Sequence, residues 1–287
     1  MLILYSKKLG LQLGYPIMMD NQKAIDGCIK SIVDFCEGNG CFGRYRDKVQ
    51  NYEWPKKGKS IDELLEEYNS SNGAKLSVDG KTNYEKNVAL KKLISKKLEQ
   101  EDLNIRAVSK WIIQKWGGIT RLSKNIEAYI DCAKEKKYLD TLDGVASYSK
   151  LFAMFHYKEF AIYDARVAVS LNIVQLLSAE KNALFFPFLP GRNKITGHDP
   201  KDGRGFSRLN EFSKTQIVNT SLQEWYTTSP RAEVYRVYND ILKRVSKRID
   251  WPLHDIEMHL FSKAEDLVHQ IRGDQRFKGV DWQSVSL

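Results

Sequence analysis

Apolar residues recur every three to four positions through most of the 287-residue chain, with polar side chains between them. This is the pattern of helices that bury one face. Residues 20–37 place Ile25, Cys28, Ile29, Ile32, Val33 and Cys36 on one side, with Asp20 as the cap. Ser60 opens a second helix and has Glu63 three residues on, a capping box. Residues 70–83 are polar and contain glycine, which predicts a loop or a short hairpin through Asp79-Gly80. Residues 84–100 read as a Lys-rich amphipathic helix with a solvated charged face. Residues 103–115 read as another, ended by Gly117-Gly118. The stretch 123–134 is a third, with Ile126, Tyr129, Ile130 and Ala133 on one face. Toward the C-terminus the pattern predicts helices over about 218–226, 231–249 and 253–271. Alternation of period two is scarce, so the predicted class is mainly α. The natural division is an N-terminal helical region, 1–102, and a second region, 103–287, or one continuous domain.

The stretch 143–177 departs from this rhythm. It starts with Gly144 and small hydroxyl-bearing residues, Ser147, Tyr148 and Ser149, followed by Lys150. An apolar turn and a polar break at 156–159 come next. Then Asp164 stands at the head of a segment that is apolar nearly all round, as a central buried helix would be. A carboxylate in that position caps the helix N-terminus, faces a substrate, or does both.

Composition narrows the class of partner. The chain holds 45 Lys+Arg against 36 Asp+Glu, a net charge of +9, which favours an anionic ligand such as nucleic acid. The four cysteines, Cys28, Cys36, Cys41 and Cys132, have no C-x-x-C spacing. His254 and His259 are one step off the spacing at which two helical histidines share a metal. The cysteines therefore read as reduced and mostly packed, and no metal or organic cofactor is expected. No segment approaches the roughly 18 apolar residues of a membrane span, and the N-terminal apolar run is too short for a secretory signal. An intracellular, cytoplasmic protein without a membrane partner is the expectation. Walker-type phosphate loops, the dinucleotide-binding glycine pattern and the G-x-S-x-G elbow are all absent from the sequence.

The order Gly-x-x-Ser-x-Ser-Lys, an apolar turn, a short break, then Ile162-Tyr163-Asp164-Ala165-Arg166-Val167 resembles the helix-hairpin-helix DNA glycosylases, in particular the 8-oxoguanine-glycosylase-fold branch. The resemblance covers residues 103–177 in detail. It implies a helical glycosylase-like fold with a cleft between two helical layers, and a hairpin turn at 143–147 that grips the DNA backbone. It also implies Asp164 as the catalytic carboxylate. The hairpin is degenerate: where the family reads Leu-Pro-Gly-Val-Gly, this chain has Leu142-Asp143-Gly144-Val145-Ala146. The family's lysine precedes its aspartate by nearly five helical turns, whereas Lys150 precedes Asp164 by 14 residues. The implied partner is double-stranded DNA with a modified base, bound by a monomer, in base-excision repair or in defence against modified foreign DNA.

Chemistry supplies a parallel argument. Breaking an N-glycosidic bond builds positive charge on the sugar, and a fixed carboxylate stabilises it. Asp164 is suited to that task, and equally to capping alone. Lys150 is either an amine nucleophile for the sugar or a phosphate-binding surface lysine. Ser147 and Ser149 suit phosphate contact or plain capping. Arg166 pairs with Asp164, with a phosphate, or with another part of the fold. Trp116 is a candidate wall for an extruded base, or core. The Gly/Pro-rich stretch 186–210 carries Arg192, Lys194, His198, Arg204 and Arg208. These are candidate DNA contacts, with His198 able to meet a base, or members of a solvated loop. The competing class is a helical DNA-binding protein without chemistry.

Overall fold

Helices form along most of the spans that the apolar spacing predicts. The computed structural model describes residues 19–46, 49, 52–54, 59–178, 182–187, 189, 195–196, 224–227 and 233–274, and this part is mainly α-helical. Helix α1 (Met19–Glu37) starts one residue before Asp20, so Asp20 lies in its first turn and not at the cap position. Helix α2 (Ile61–Asn72) begins with the Ser60–Glu63 capping box. Helix α3 (Asn83–Glu99) has a second box, from Thr82 and Glu85, a T-x-x-E signal also legible in the sequence. The link between them contains no strand. The Asn69 amide bonds the Leu76 backbone in both directions, at 2.7 and 2.8 Å, and so takes the backbone groups a hairpin would pair.

Helix α4 (Ile105–Trp111) runs directly into a π-helical turn, Ile112–Trp116. Helices α5 (Ile126–Lys134) and α6 (Val145–Phe155) follow and pack together. Gly144 precedes α6 in the left-handed conformation, φ 77°, and a Cβ there would meet the Tyr129 hydroxyl at 2.2 Å. Only glycine satisfies both conditions. Helix α7 (Ala165–Ser178) is buried on nearly every side, packed by α1 and by the C-terminal helices. Each Val, Ile or Leu buried along it contributes about 1.5–3 kcal/mol.

Two segments differ from the helical reading. Of the helix expected at about 218–226, residues 218–223 lie outside the described residues, and Glu224–Thr227 is a strand, β2, paired in parallel with β1 (Asn182–Phe185). Trp225, Tyr226 and Thr227 are β-favouring types, and the partner strand outweighs the local pattern. The other edge of β1 is held by two buried amides of α7. Gln175 bonds Leu184 N and O at 2.7 and 2.9 Å, and Asn172 bonds Phe186 N and O at 2.9 and 2.8 Å. The run 253–271 is two helices, α9 (Leu253–Ser262) and α10 (Ala264–Gly273), separated at Lys263; both follow α8 (Val234–Ile249). One hydrophobic cluster includes residues from both sides of position 102. Cys28 and Cys36 are packed in it, and burial pushes their thiols up. Among the described residues, no helix is long and apolar enough to cross a membrane.

Candidate active site

The approach to Asp164 is neither helix nor strand, and neighbouring side chains tie it down residue by residue. Ala161 N donates to Asn239 Oδ1 at 2.8 Å, and Ala161 O accepts from the Tyr235 hydroxyl at 3.0 Å. Ile162 O accepts from the Tyr238 hydroxyl at 2.8 Å. Tyr163 N donates to Ser149 Oγ at 3.2 Å. Asp164 then caps α7, its Oδ1 accepting from Arg166 N at 3.0 Å and Val167 N at 3.1 Å. Both bonds fall on one oxygen, so among the described residues Oδ2 is left for another partner.

Asp164 and Lys150 line the same narrow cavity, of about 30 Å³, with Glu257 as the third charged group. That volume admits one or two waters. The walls are aromatic: Tyr52, Trp54, Trp116 and Phe261. They are locked together. Trp116 Nε1 donates to Asn87 Oδ1 at 2.9 Å, Asn87 Nδ2 donates to Trp54 O at 2.9 Å, and Trp54 Nε1 donates to Trp116 O at 3.0 Å. Trp54 meets Phe261 edge-on, with ring centroids 5.4 Å apart. The π-helical turn brings Trp116 and Gly117 to the cavity; such turns are frequent at functional sites. A wider cleft of about 200 Å³ shares Tyr52, Trp54 and Phe261 with it and continues past Arg166.

Electrostatics sets the cavity apart from ordinary core. Lys150 is buried, and its Nζ donates to Ala146 O at 2.5 Å. Burial pushes its ammonium pKa down, against the pull of Asp164 and Glu257. Gly117 makes room for its stem: a Cβ there would lie 2.7 Å from Lys150 Cδ. Glu257 is 1% exposed and pairs with Lys91 at 3.0 Å, itself 2% exposed. Burial pushes the Glu257 carboxyl up, while Lys91 opposes that shift. Burial also raises the Tyr52 phenol well above its ordinary range.

The other candidates divide sharply. Ser149 does not reach a phosphate: it is fully buried, and its hydroxyl is held against the Tyr163 backbone. Ser147 sits in the first turn of α6, largely buried. Arg166 does not pair with Asp164. Its Nη2 donates to Glu265 at 2.5 Å, its guanidinium lies 5.0 Å from the Phe261 ring centre, and its buried Nη1 has no hydrogen-bond partner among the described residues. It is thus held inside the fold beside the cleft, and not on an open DNA-facing surface. Arg192, Lys194, His198, Arg204 and Arg208 lie outside the described residues.

Comparison with protein-family models, with curated proteins and with solved structures gives no match. Sequence reasoning missed Glu257 and Lys91. A signal existed for Glu257, which lies four residues from both Leu253 and Phe261, on the buried stripe of α9. Lys91 had a weaker one, four residues from buried Asn87 on a helix rich in solvated lysines. Among the described residues, no group of three or more His, Cys, Asp or Glu is arranged to hold a metal.

Proposed function

We propose that this protein is a DNA glycosylase that extrudes a modified base and breaks its bond to deoxyribose. The observation that carries the reading is that Asp164, Lys150 and a set of aromatic faces line one cavity at the N-terminus of a buried helix. The Asp164 carboxylate would stabilise positive charge growing on the sugar and orient water. Lys150, with its lowered pKa, would attack C1′ as a neutral amine and add strand-cleaving activity. The extruded base would occupy the wider cleft, against the faces of Trp54 and Phe261 and beside Arg166. The base is an oxidised or alkylated lesion, or a modification of foreign DNA.

The test is incubation with duplexes carrying a panel of modified bases, followed by alkali to cut at abasic sites. Asp164→Asn should lower product formation about a hundredfold or more with DNA binding retained. Undiminished activity in that variant would remove Asp164 from the mechanism. One observation favours the competing reading, a helical protein that binds DNA without chemistry: the inner cavity admits only water in this conformation. Salt-dependent DNA binding with no base release from any duplex in the panel would select it.

A further inference from the structure

The cavity contains a second carboxylate that the proposed reaction has not yet used. Glu257 and Lys150 line it together, on α9 and α6, with Asp164 at the head of α7 as the third member. Asp164 is committed on Oδ1 to two backbone N–H groups, and this fixes it as a cap. Among the described residues, Glu257 has one side-chain partner, Lys91 of α3. It is therefore a buried carboxylate in one ion pair, with the Lys150 ammonium, which must lose a proton before it can react, as a second nearby cation.

We propose that Glu257 is the proton carrier for Lys150: it takes a proton from the ammonium and returns it to the group that leaves C1′. This rests on the reading of Lys150 as the amine that attacks the sugar. The steps balance. The Glu257 carboxylate accepts one proton from Lys150 Nζ, giving a carboxylic acid and a neutral amine. The amine lone pair forms the Nζ–C1′ bond. In an intact nucleotide the bond from C1′ to the base breaks, its electron pair leaves on the base, and Glu257 protonates that base. In an abasic sugar the amine adds to the C1′ aldehyde, Glu257 protonates the resulting hydroxyl, and water leaves as the C1′=N iminium forms. Glu257 ends ionised beside Lys91, as it began. Burial shifts the two groups toward each other, the carboxyl up and the ammonium down, which eases transfer between them. The other ionisable groups around Glu257 are Lys91, Asp164, Tyr52, and Tyr235 and Tyr238 of α8. All three phenols are pushed well above their ordinary range by burial.

The experiment uses a duplex carrying one preformed abasic site, so the identity of the excised base does not enter. Borohydride reduction traps the iminium, and the trapping rate is measured from pH 5 to 9 for the full chain, Glu257→Gln, and Glu257→Gln with Lys91→Met. The double variant removes both buried charges and guards against misfolding of the single one. Loss of the carrier should lower the plateau rate about a hundredfold at every pH. If Glu257 acts only by its charge, its removal eases Lys150 deprotonation, and the alkaline limb moves to lower pH with an undiminished plateau. That result overturns the proposal and leaves Lys150 as the nucleophile. Absence of trapping by the wild-type chain overturns both this inference and the amine reading of Lys150. Base release that depends on Asp164 would stand apart from that outcome.

Discussion

Ser149 Oγ accepts the Tyr163 N–H at 3.2 Å and lies 3.4 Å from the Tyr163 carbonyl oxygen. The two residues stand immediately before Lys150 and Asp164, so one buried hydroxyl fixes the amine-bearing helix against the backbone that carries the carboxylate. Ser149→Ala removes the bond that the Tyr163 N–H makes to Ser149 Oγ in the interior. The expected loss of stability is about 1–3 kcal/mol, read from urea unfolding. Base release, under the proposed function, should fall by up to about a hundredfold. A large loss of stability with full activity would show that the lock supports only the fold.

The Lys91–Glu257 pair predicts a non-additive pattern. Both side chains are almost wholly buried, at 2% and 1% exposure. Lys91→Met leaves a carboxylate without its cation, and the expected cost is about 3–5 kcal/mol. Adding Glu257→Leu should recover most of that stability, because a well-packed apolar pair avoids desolvating two charges. Denaturant midpoints of the two single variants and the double variant decide it: additive losses would contradict a coupled pair.

Gly117 is required by proximity. A Cβ there would lie 2.7 Å from Lys150 Cδ and 2.8 Å from the carbonyl oxygens of Ile112 and Ile113. Gly117→Ala should therefore displace the lysine stem or the π-helical turn, at a cost of about 1–3 kcal/mol. Iminium trapping on abasic DNA should fall more steeply than the thermal midpoint does. Equal trapping by the variant and the wild type would mean that the lysine reacts from a position this contact does not control.

Two buried histidines set an acid limit. Burial pushes His259 down to about 4 and His254 down to about 3, with nearby lysines adding to both shifts. The unfolded chain takes up these protons near pH 6.5 and the folded chain does not, so stability falls as pH drops from about 6.5 toward 4. Each histidine contributes about 1.4 kcal/mol per pH unit within its window. Glu257 has the opposite sign, since its raised carboxyl keeps its proton better in the folded state. Urea midpoints between pH 7 and 4.5 should decline less steeply in His259→Leu than in the wild type, by about that slope. Parallel declines would mean that His259 is neutral in both states or exposed in the fold.

Much of the helical fold was legible in local order. The Ser60–Glu63 box, the face formed by Ile25, Cys28, Ile29 and Ile32, and the all-round burial of α7 follow from spacing and from side-chain chemistry within a turn or two. The strand at 224–227 was not legible, because its reason is a partner strand some 40 residues earlier in the chain. Asp164 stood out as a lone carboxylate before an apolar helix, and its capping of α7 is a local event. Its neighbours in the cavity are another matter. Trp54, Trp116, Lys150 and Glu257 come from four separate stretches, and each alone reads as core or surface. Whether a buried lysine is a reactive amine, and whether a glutamate inside a helix is paired, depends on which charges and apolar surfaces surround it. The sequence determined the helices and the capped carboxylate; only the packing of α3, α6, α7 and α9 decided that an amine and a second carboxylate would share its cavity.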